Sequence, residues 1–402
     1  MKYILLLGDG MADRPLDEYG GKTPLEISST PCMDSLAARG TLGMVNTIPD
    51  GYEPGSDVAN MCVLGYNPQL HYTGRAPIEA VSMGILLEDT DIAYRCNLVS
   101  FANNGDTTVM DDYSAGHIPT EEAHRFIAVL KKTLDSPECR LHPGISYRHV
   151  LIVKQGDPGV KTCAPHDISG REVAAFLPSG NGSELIRDLM SRSRTLLNNH
   201  QLNRERCARA LKPVSSIWLW GQGKAVNLPS FHKKYALDGS VISAVDLIKG
   251  LGISAGLNSI DVPGATGYLD TNYAGKVAAA LGALATRDFV YLHVEAPDEA
   301  SHKGSLPEKI RAIEEFDSNI VAPVLEGLRR LSEPYRILVL PDHPTPLAIK
   351  THSSEPVPFI LYDSTKLPAQ PLKRAYCEQD ARATGVTVLQ GWTLMDTFIR
   401  QK

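Results

Sequence analysis

Residues 287–302, RDFVYLHVEAPDEASH, constrain this chain more than any other stretch. Phe289 to Val294 is a short, mostly apolar run rich in β-branched and aromatic side chains, which predicts a buried strand. That strand is expected to end at Glu295, and Pro297 then falls where a helix opens, its fixed φ suited to the first turn. Asp298 and His302 follow at i and i+4, so on a helix they share one face about a turn apart. A carboxylate and an imidazole so placed are two arms of a transition-metal site. Alone the pair decides nothing, because D-x-x-x-H is commonly a solvated helix face.

Two further stretches repeat the pattern of a strand running into an acid. Tyr3 to Leu7 is continuously apolar and stops at Gly8-Asp9-Gly10, where flanking glycines let the backbone turn closely around the carboxylate. Arg336 to Leu340 runs through Pro341 into Asp342-His343, and Thr351-His352-Ser353 follows just ahead of the apolar Val357–Leu361. Open α/β sheets bind ligands at the carboxyl edge of their strands. Three sheet strands would therefore carry Asp9, Asp298, Asp342 and His343 towards one edge, with His302 and His352 close behind. Between them lies Glu53-Pro54-Gly55-Ser56, a turn that presents Ser56 at the start of a helix expected to stop at Gly65. Helix-opening N–H groups favour a serine alkoxide or an incoming phosphate, although the same position suits a plain N-cap. With Ser56, there are seven candidate ligands for two cations.

The rest of the chain supplies context. A net charge of −6 offers no basic field for a nucleic-acid backbone. No apolar run approaches the roughly 20 residues a membrane span needs. Seven cysteines, odd in number and without a C-x-x-C pair, read as reduced thiols, and no signal peptide is evident; the expected location is cytoplasmic. Thr30 to Gly40 reads as a capped helix with Pro31 at its first position. From about Asp89 a β-β-α-β series predicts an α+β insertion: a strand over Asp91–Val99, a turn at Asn103–Asp106, a return strand over Thr107–Met110, a helix over Glu121–Leu134 and a strand over Tyr147–Lys154. Arg95, Asp111, Asp112, His117, Arg148, His149, His166 and Asp167 are polar groups there that could line a cleft, and Arg75 sits in a polar loop before it. Beyond the insertion, helices are expected over Ser183–Ala210, Val241–Gly252 and Ile310–Leu331, and a core strand over Ser216–Trp220.

The motifs GDGMAD, PGSDVAN, APDEASH, LPDHPTP and THSSEPVPF, in this order, resemble the alkaline-phosphatase superfamily. The resemblance is closest to the archaeal-type cofactor-independent (2,3-bisphosphoglycerate-independent) phosphoglycerate mutases. It covers essentially the whole chain, including LGYNP, YTGRAPIEA, AYRCN and GATGYLDT. It implies an α/β fold, an alkaline-phosphatase-like and mostly parallel sheet sandwiched by helices, with an inserted α+β subdomain. Residues 1–88 and 181–402 would form the metal-binding core, and residues 89–180 the substrate-orienting insertion. One cation would be held by Asp298, His302 and His352, the other by Asp9, Asp342, His343 and the Ser56 oxygen. Mixed nitrogen and oxygen ligands suit Mn²⁺ or Zn²⁺, with Mg²⁺ or Co²⁺ as further candidates. Ser56 would carry a phosphoserine during interconversion of 3- and 2-phosphoglycerate, and the partner is that small phosphorylated metabolite; self-assembly into a homo-oligomer is left open. Arg75 and Arg95 would bind substrate phosphate or carboxylate, with Asp112 and Arg148 beside them. Two departures stand out: Glu295 and Trp220 occupy positions where those mutases carry basic residues. Glu295 could instead bind an ammonium group, which admits a second reading, phosphoryl transfer to homoserine or another acceptor; a phosphatase sharing the core is a third.

Overall fold

The computed structural model describes residues 1–400 apart from 106, 332 and 367. Two compact units divide the chain, one made of Met1–Tyr72 with Asn227–Lys402, the other of Thr73–Val226. In the first, Lys2–Gly8 lies between Phe289–Val294 and Tyr335–Leu340, parallel to both. Every residue of those two neighbours is buried, as expected of apolar strands covered on both faces. Leu7 stands opposite both His293 and Leu340, so the three strands end in register. The segments leaving the three strand ends therefore emerge along one edge. The sheet continues through Gly239–Ile242 and Asn258–Ser259 on one side. On the other it continues through Val357–Asp363, Thr41–Val45 and Thr387–Val388, and only Val357–Asp363 runs antiparallel to its neighbours. Ile4, Leu6, Leu292 and Val339 pack into one apolar cluster with Leu36, Val277, Phe316 and Val324 from covering helices. Each such side chain, fully buried, contributes roughly 1.5–3 kcal/mol. The sheet is mostly parallel and the fold class is α/β.

The second unit is built on the long strand Ile92–Asn104, which pairs antiparallel with Thr107–Asp112, Arg148–Val153 and Ser216–Gly223; Cys139–His142 extends the sheet from Arg148–Val153. The helices Thr120–Leu134 and Ser183–Leu197 bury Phe126, Leu130, Ile186 and Leu189 against Tyr94, Leu98 and Trp218. Residues 89–180 fall inside this unit, which takes in more chain at both ends. Ser216–Gly223 is there because it pairs with Ile92–Asn104, and the helix Arg75–Ser82 because Ala76 and Ala80 pack on Ala93 and Val150.

Two local expectations are corrected. Val241–Gly252 is not one helix: Gly239–Ile242 is a strand paired with Phe289–Leu292, and the helix Asp246–Ser254 follows. A short apolar run cannot be assigned from periodicity alone, and here the neighbouring strand decided it. Ser183–Ala210 is two helices, because the His200 side chain accepts from Leu202 N–H and opens the second one. The turn at Asn103–Gly105 joins the two hairpin strands, while Asp106 lies outside the described residues.

His149, buried on Arg148–Val153, accepts from Gly144 N–H at 2.9 Å through Nδ1. Burial, with the nearby His124 charge, pushes its pKa down to about 3. In the unfolded chain a histidine titrates near 6.5, so below that pH the unfolded state binds the extra proton. Stability from this group is complete above about pH 6.5 and falls progressively as pH drops towards 3. His149→Gln should flatten the fall in unfolding free energy between about pH 6 and pH 4 by roughly 1 kcal/mol per pH unit. Urea titrations across that range would measure it, and an unchanged slope would exclude His149 as the proton acceptor.

Candidate metal centre

Where the three central strands end, the chain turns sharply. Gly10 has φ +61°, and a Cβ there would lie 2.5 Å from Asp298 Oδ1 and 2.6 Å from Thr345 Oγ1. Only glycine lets the Asp9 turn approach Asp298 this closely. Asp9 itself is buried, and His293 Nε2 lies 2.8 Å from its Oδ2. Asp342 accepts from the Gly10 and His343 N–H groups through Oδ1, at 3.2 and 3.0 Å, and from Asn60 Nδ2 at 2.8 Å through Oδ2. Asp298 sits on the helix Ala296–Lys303 and accepts from the Thr345 hydroxyl. One turn on, His302 Nε2 is 3.0 Å from Asp298 Oδ2 and 3.1 Å from His352 Nε2. The Lys350 carbonyl accepts the His302 Nδ1 proton at 2.9 Å, which turns Nε2 towards Asp298.

Ser56 is the first residue of the helix Ser56–Val63, after an extended Gly55. Its Oγ lies 3.1 Å from His343 Nε2, and that nitrogen is 3.3 Å from Asp342 Oδ2 and 3.6 Å from Asp9 Oδ1. Asn60, a turn later, donates to both the Ser56 carbonyl and Asp342, and accepts from the Tyr291 hydroxyl. The nucleophile candidate and the carboxylate are thus held by one amide side chain.

Two overlapping donor sets result, Asp298 with His343 and His352, and Asp9 with Asp342 and His343, each with its atoms within 4.8 Å of one another. The electrostatics are those of a crowded anionic site. Burial, then the charges of Asp342 and Asp298, push the Asp9 carboxyl well above the usual range. Asp298 is held well below it, because hydrogen bonds and charge from His302 and His352 outweigh its burial. The same contacts raise His302 to about 9 against its own burial, whereas burial takes His343 down to about 4. Asp9 Oδ1 is buried without a hydrogen-bond partner, a costly state for a carboxylate oxygen. A divalent cation would satisfy that lone pair and neutralise the three carboxylates, so the residues fit such ions.

Asp9, Ser56, Asp298, His302, Asp342, His343 and His352 are thereby brought to one edge of the first unit. Sequence reasoning missed Asn60 and His293. Asn60 at i+4 from Ser56 and an imidazole inside an otherwise apolar strand were the available signals. Glu295 ends the Phe289–Val294 strand, and its charge acts on Lys276, a buried lysine donating to the His293 carbonyl at 3.0 Å.

In the second unit, Arg75 and Arg95 both pair with Glu79, at 3.0 and 2.9 Å. Asp112 accepts from the Ser114 N–H and hydroxyl and lies 3.4 Å from Lys212, so its carboxylate is engaged in a local turn. Arg148 is exposed, over the Tyr147 ring.

A family model described as 2,3-bisphosphoglycerate-independent phosphoglycerate mutase matches residues 37–203. The Methanosarcina barkeri 2,3-bisphosphoglycerate-independent phosphoglycerate mutase is 48% identical over 403 residues, covering 100% of both chains. A solved structure of a Pyrococcus horikoshii protein superposes with a TM-score of 0.80 at 26% identity, covering 99% of this chain and 96% of that one. The cofactor-independent phosphoglycerate mutase from Thermoplasma acidophilum shares the fold, with a TM-score of 0.62 at 24% identity over 100% of this chain and 99% of that one.

Proposed function

The chain belongs to the 2,3-bisphosphoglycerate-independent phosphoglycerate mutase family, and from that premise we propose that it interconverts 3- and 2-phosphoglycerate through a phosphoserine on Ser56. The observation that carries the reading is Ser56 Oγ at a helix start, 3.1 Å from His343, the residue common to both donor sets. Asp298, His302 and His352 would hold one divalent cation, and Asp9, Asp342, His343 and Ser56 the other. Bound there, such ions lower the pKa of the serine hydroxyl and screen phosphoryl oxygens.

Each side chain then has a distinct part. Ser56 Oγ, having given up its proton, displaces the glycerate oxygen from phosphorus in line, forming the Ser56 phosphoester as the substrate P–O bond breaks; the departing oxygen takes up a proton in exchange for the one the serine lost. The backbone N–H groups opening Ser56–Val63 favour the added negative charge. Asn60 keeps the Ser56 backbone and Asp342 in fixed relation during both transfers. Arg75 and Arg95 hold phosphate or carboxylate of the retained glycerate. Its other hydroxyl then attacks the phosphoserine, the P–Oγ bond breaks, and Ser56 is regenerated.

The test is formation of 2-phosphoglycerate from 3-phosphoglycerate by purified protein with Mn²⁺ and no 2,3-bisphosphoglycerate. Parallel incubations with homoserine and a phosphoryl donor, and an assay for free phosphate, address the other two readings. Phosphorylated homoserine or free phosphate in place of 2-phosphoglycerate would sink the mutase reading. Chelation should abolish turnover, and added Mn²⁺ or Zn²⁺ should restore it. Melting in the same samples should show the metal-loaded protein more stable by roughly 3 kcal/mol at about a hundredfold excess over Kd. Identical melts with and without metal would count against Asp9, Asp298 and Asp342 as ligands.

A further inference from the structure

Glu79 divides its two oxygens between two arginines. On the helix Arg75–Ser82, Oε1 accepts from Arg75 Nε at 3.0 Å, one turn earlier, and Oε2 pairs with Arg95 Nε at 2.9 Å. Arg75 is held at Nε by a hydrogen bond, whereas the buried Arg95 Nε meets Glu79 as a close ion pair without hydrogen-bond geometry. Arg95 is fixed on a second side as well. Its guanidinium carbon lies 4.3 Å from the centre of the Trp220 ring, its cross-strand neighbour in the Ile92–Asn104 and Ser216–Gly223 pairing. Trp220 is in turn anchored, donating through Nε1 to Asn97 Oδ1 at 3.0 Å, while Asn97 donates to the Tyr113 carbonyl at 3.0 Å.

Arg148, although exposed, also acts on Glu79 through its charge. Glu79 stays charged despite burial because these cations hold its carboxyl below the usual range. Burial, with Arg75 and Arg148 beside it, takes Arg95 down to about 10, still a cation at neutral pH. Of the three arginines Arg95 alone is buried, so its charge is the one that a desolvated anion would engage most strongly. Trp220 adds no further charge and supports Arg95 through its ring face, where an arginine would have repelled it.

We propose that Glu79 and Trp220 are positioning residues that fix Arg95, together with Arg75, as the receptor for a phosphate or carboxylate group of the substrate. The assignment deepens the mutase reading and rests on it for the substrate's identity. Neither residue touches the reacting atoms; each acts through Arg95.

The experiment measures KM and kcat for 3-phosphoglycerate, and calorimetric affinity for the same compound, in the parent protein, Glu79→Gln, Trp220→Leu and Trp220→Phe. Glu79→Gln should raise KM roughly 10-fold or more with kcat within about threefold. Trp220→Leu should raise it roughly 3- to 30-fold, and Trp220→Phe, which keeps a ring under the guanidinium, should restore most of the loss. Unchanged KM in these variants, or loss of kcat and melting temperature alone, would overturn the proposal. Should Glu79→Gln fail to fold, the Trp220 pair decides by the same criterion. Should the parent protein form no 2-phosphoglycerate, the mutase reading falls by itself, and the calorimetric affinities then decide. Weaker binding in Glu79→Gln and Trp220→Leu supports the clamp; equal affinities, or no binding to the parent, overturn it.

Discussion

Ser56→Ala should remove mutase turnover, by about 10⁴-fold or more, while leaving fold and metal content close to those of the parent. That factor corresponds to about 5.5 kcal/mol of lost transition-state stabilisation. The size reflects the role proposed for the oxygen, the atom that carries the phosphoryl group between two positions of glycerate. The selectivity comes from the surroundings. Asn60 bonds the Ser56 main-chain carbonyl, not its hydroxyl, so the helix entry and the Asn60–Asp342 contact survive the substitution. Six of the seven donor side chains are also unaltered, and elemental analysis should find nearly full occupancy. Acid-quenched parent protein incubated with 3-phosphoglycerate should yield a phosphorylated peptide containing Ser56, absent from the variant. Turnover above about one per cent of the parent would mean that another group takes the phosphoryl.

Much of this site was legible in the chain because its parts lie where local rules are strongest. Tyr3–Leu7, Phe289–Val294 and Arg336–Leu340 are buried on both faces, so their composition marks them without knowledge of their partners. Gly8 closes the first, Pro341 the last, and Pro297 opens the helix after the second, which located Asp9, Asp298 and Asp342 just past strand ends before any strand order was known. Thr30, Pro31 and Gly40 marked the helix Pro31–Arg39 in the same local way. The hidden part depends on contacts between distant residues. His293 is one imidazole in an apolar strand, and nothing local says that its Nε2 meets Asp9. Glu79 reads as a partner for Arg75 at i+4; its second contact, an ion pair with Arg95, exists only because Ile92–Asn104 passes beside its helix. Trp220 appeared as a lost positive charge, and became a support for Arg95 only through cross-strand pairing.

Lys309 is a buried cation that local rules would place on the surface, and Lys309→Met should cost about 3–5 kcal/mol. The ammonium sits under the turns that carry Asp9 and Asp342. It is fully buried on the helix Leu306–Phe316 and donates to Asp13 Oδ2 at 2.8 Å, the Thr345 carbonyl at 3.0 Å and the Ala12 carbonyl at 3.2 Å. Asp13 also accepts from Leu347 N–H, and its own N–H donates to Glu378. Removing the cation strands a buried carboxylate and two carbonyls, which costs more than the pair itself is worth. Replacing both partners, Lys309→Met with Asp13→Leu, should therefore recover part of the loss, whereas additive losses would show the two charges to be independent. The damage should also reach the metal centre, because Thr345 donates to Asp298 and its N–H bonds the Ala12 carbonyl. Metal affinity should thus fall in Lys309→Met although no ligand has changed. Calorimetric melts, with an expected drop of about 4–6 °C, would measure the first effect and metal titration the second. A melt within a degree or two of the parent would mean that water reaches Lys309, and that these turns are held together by something other than its charge.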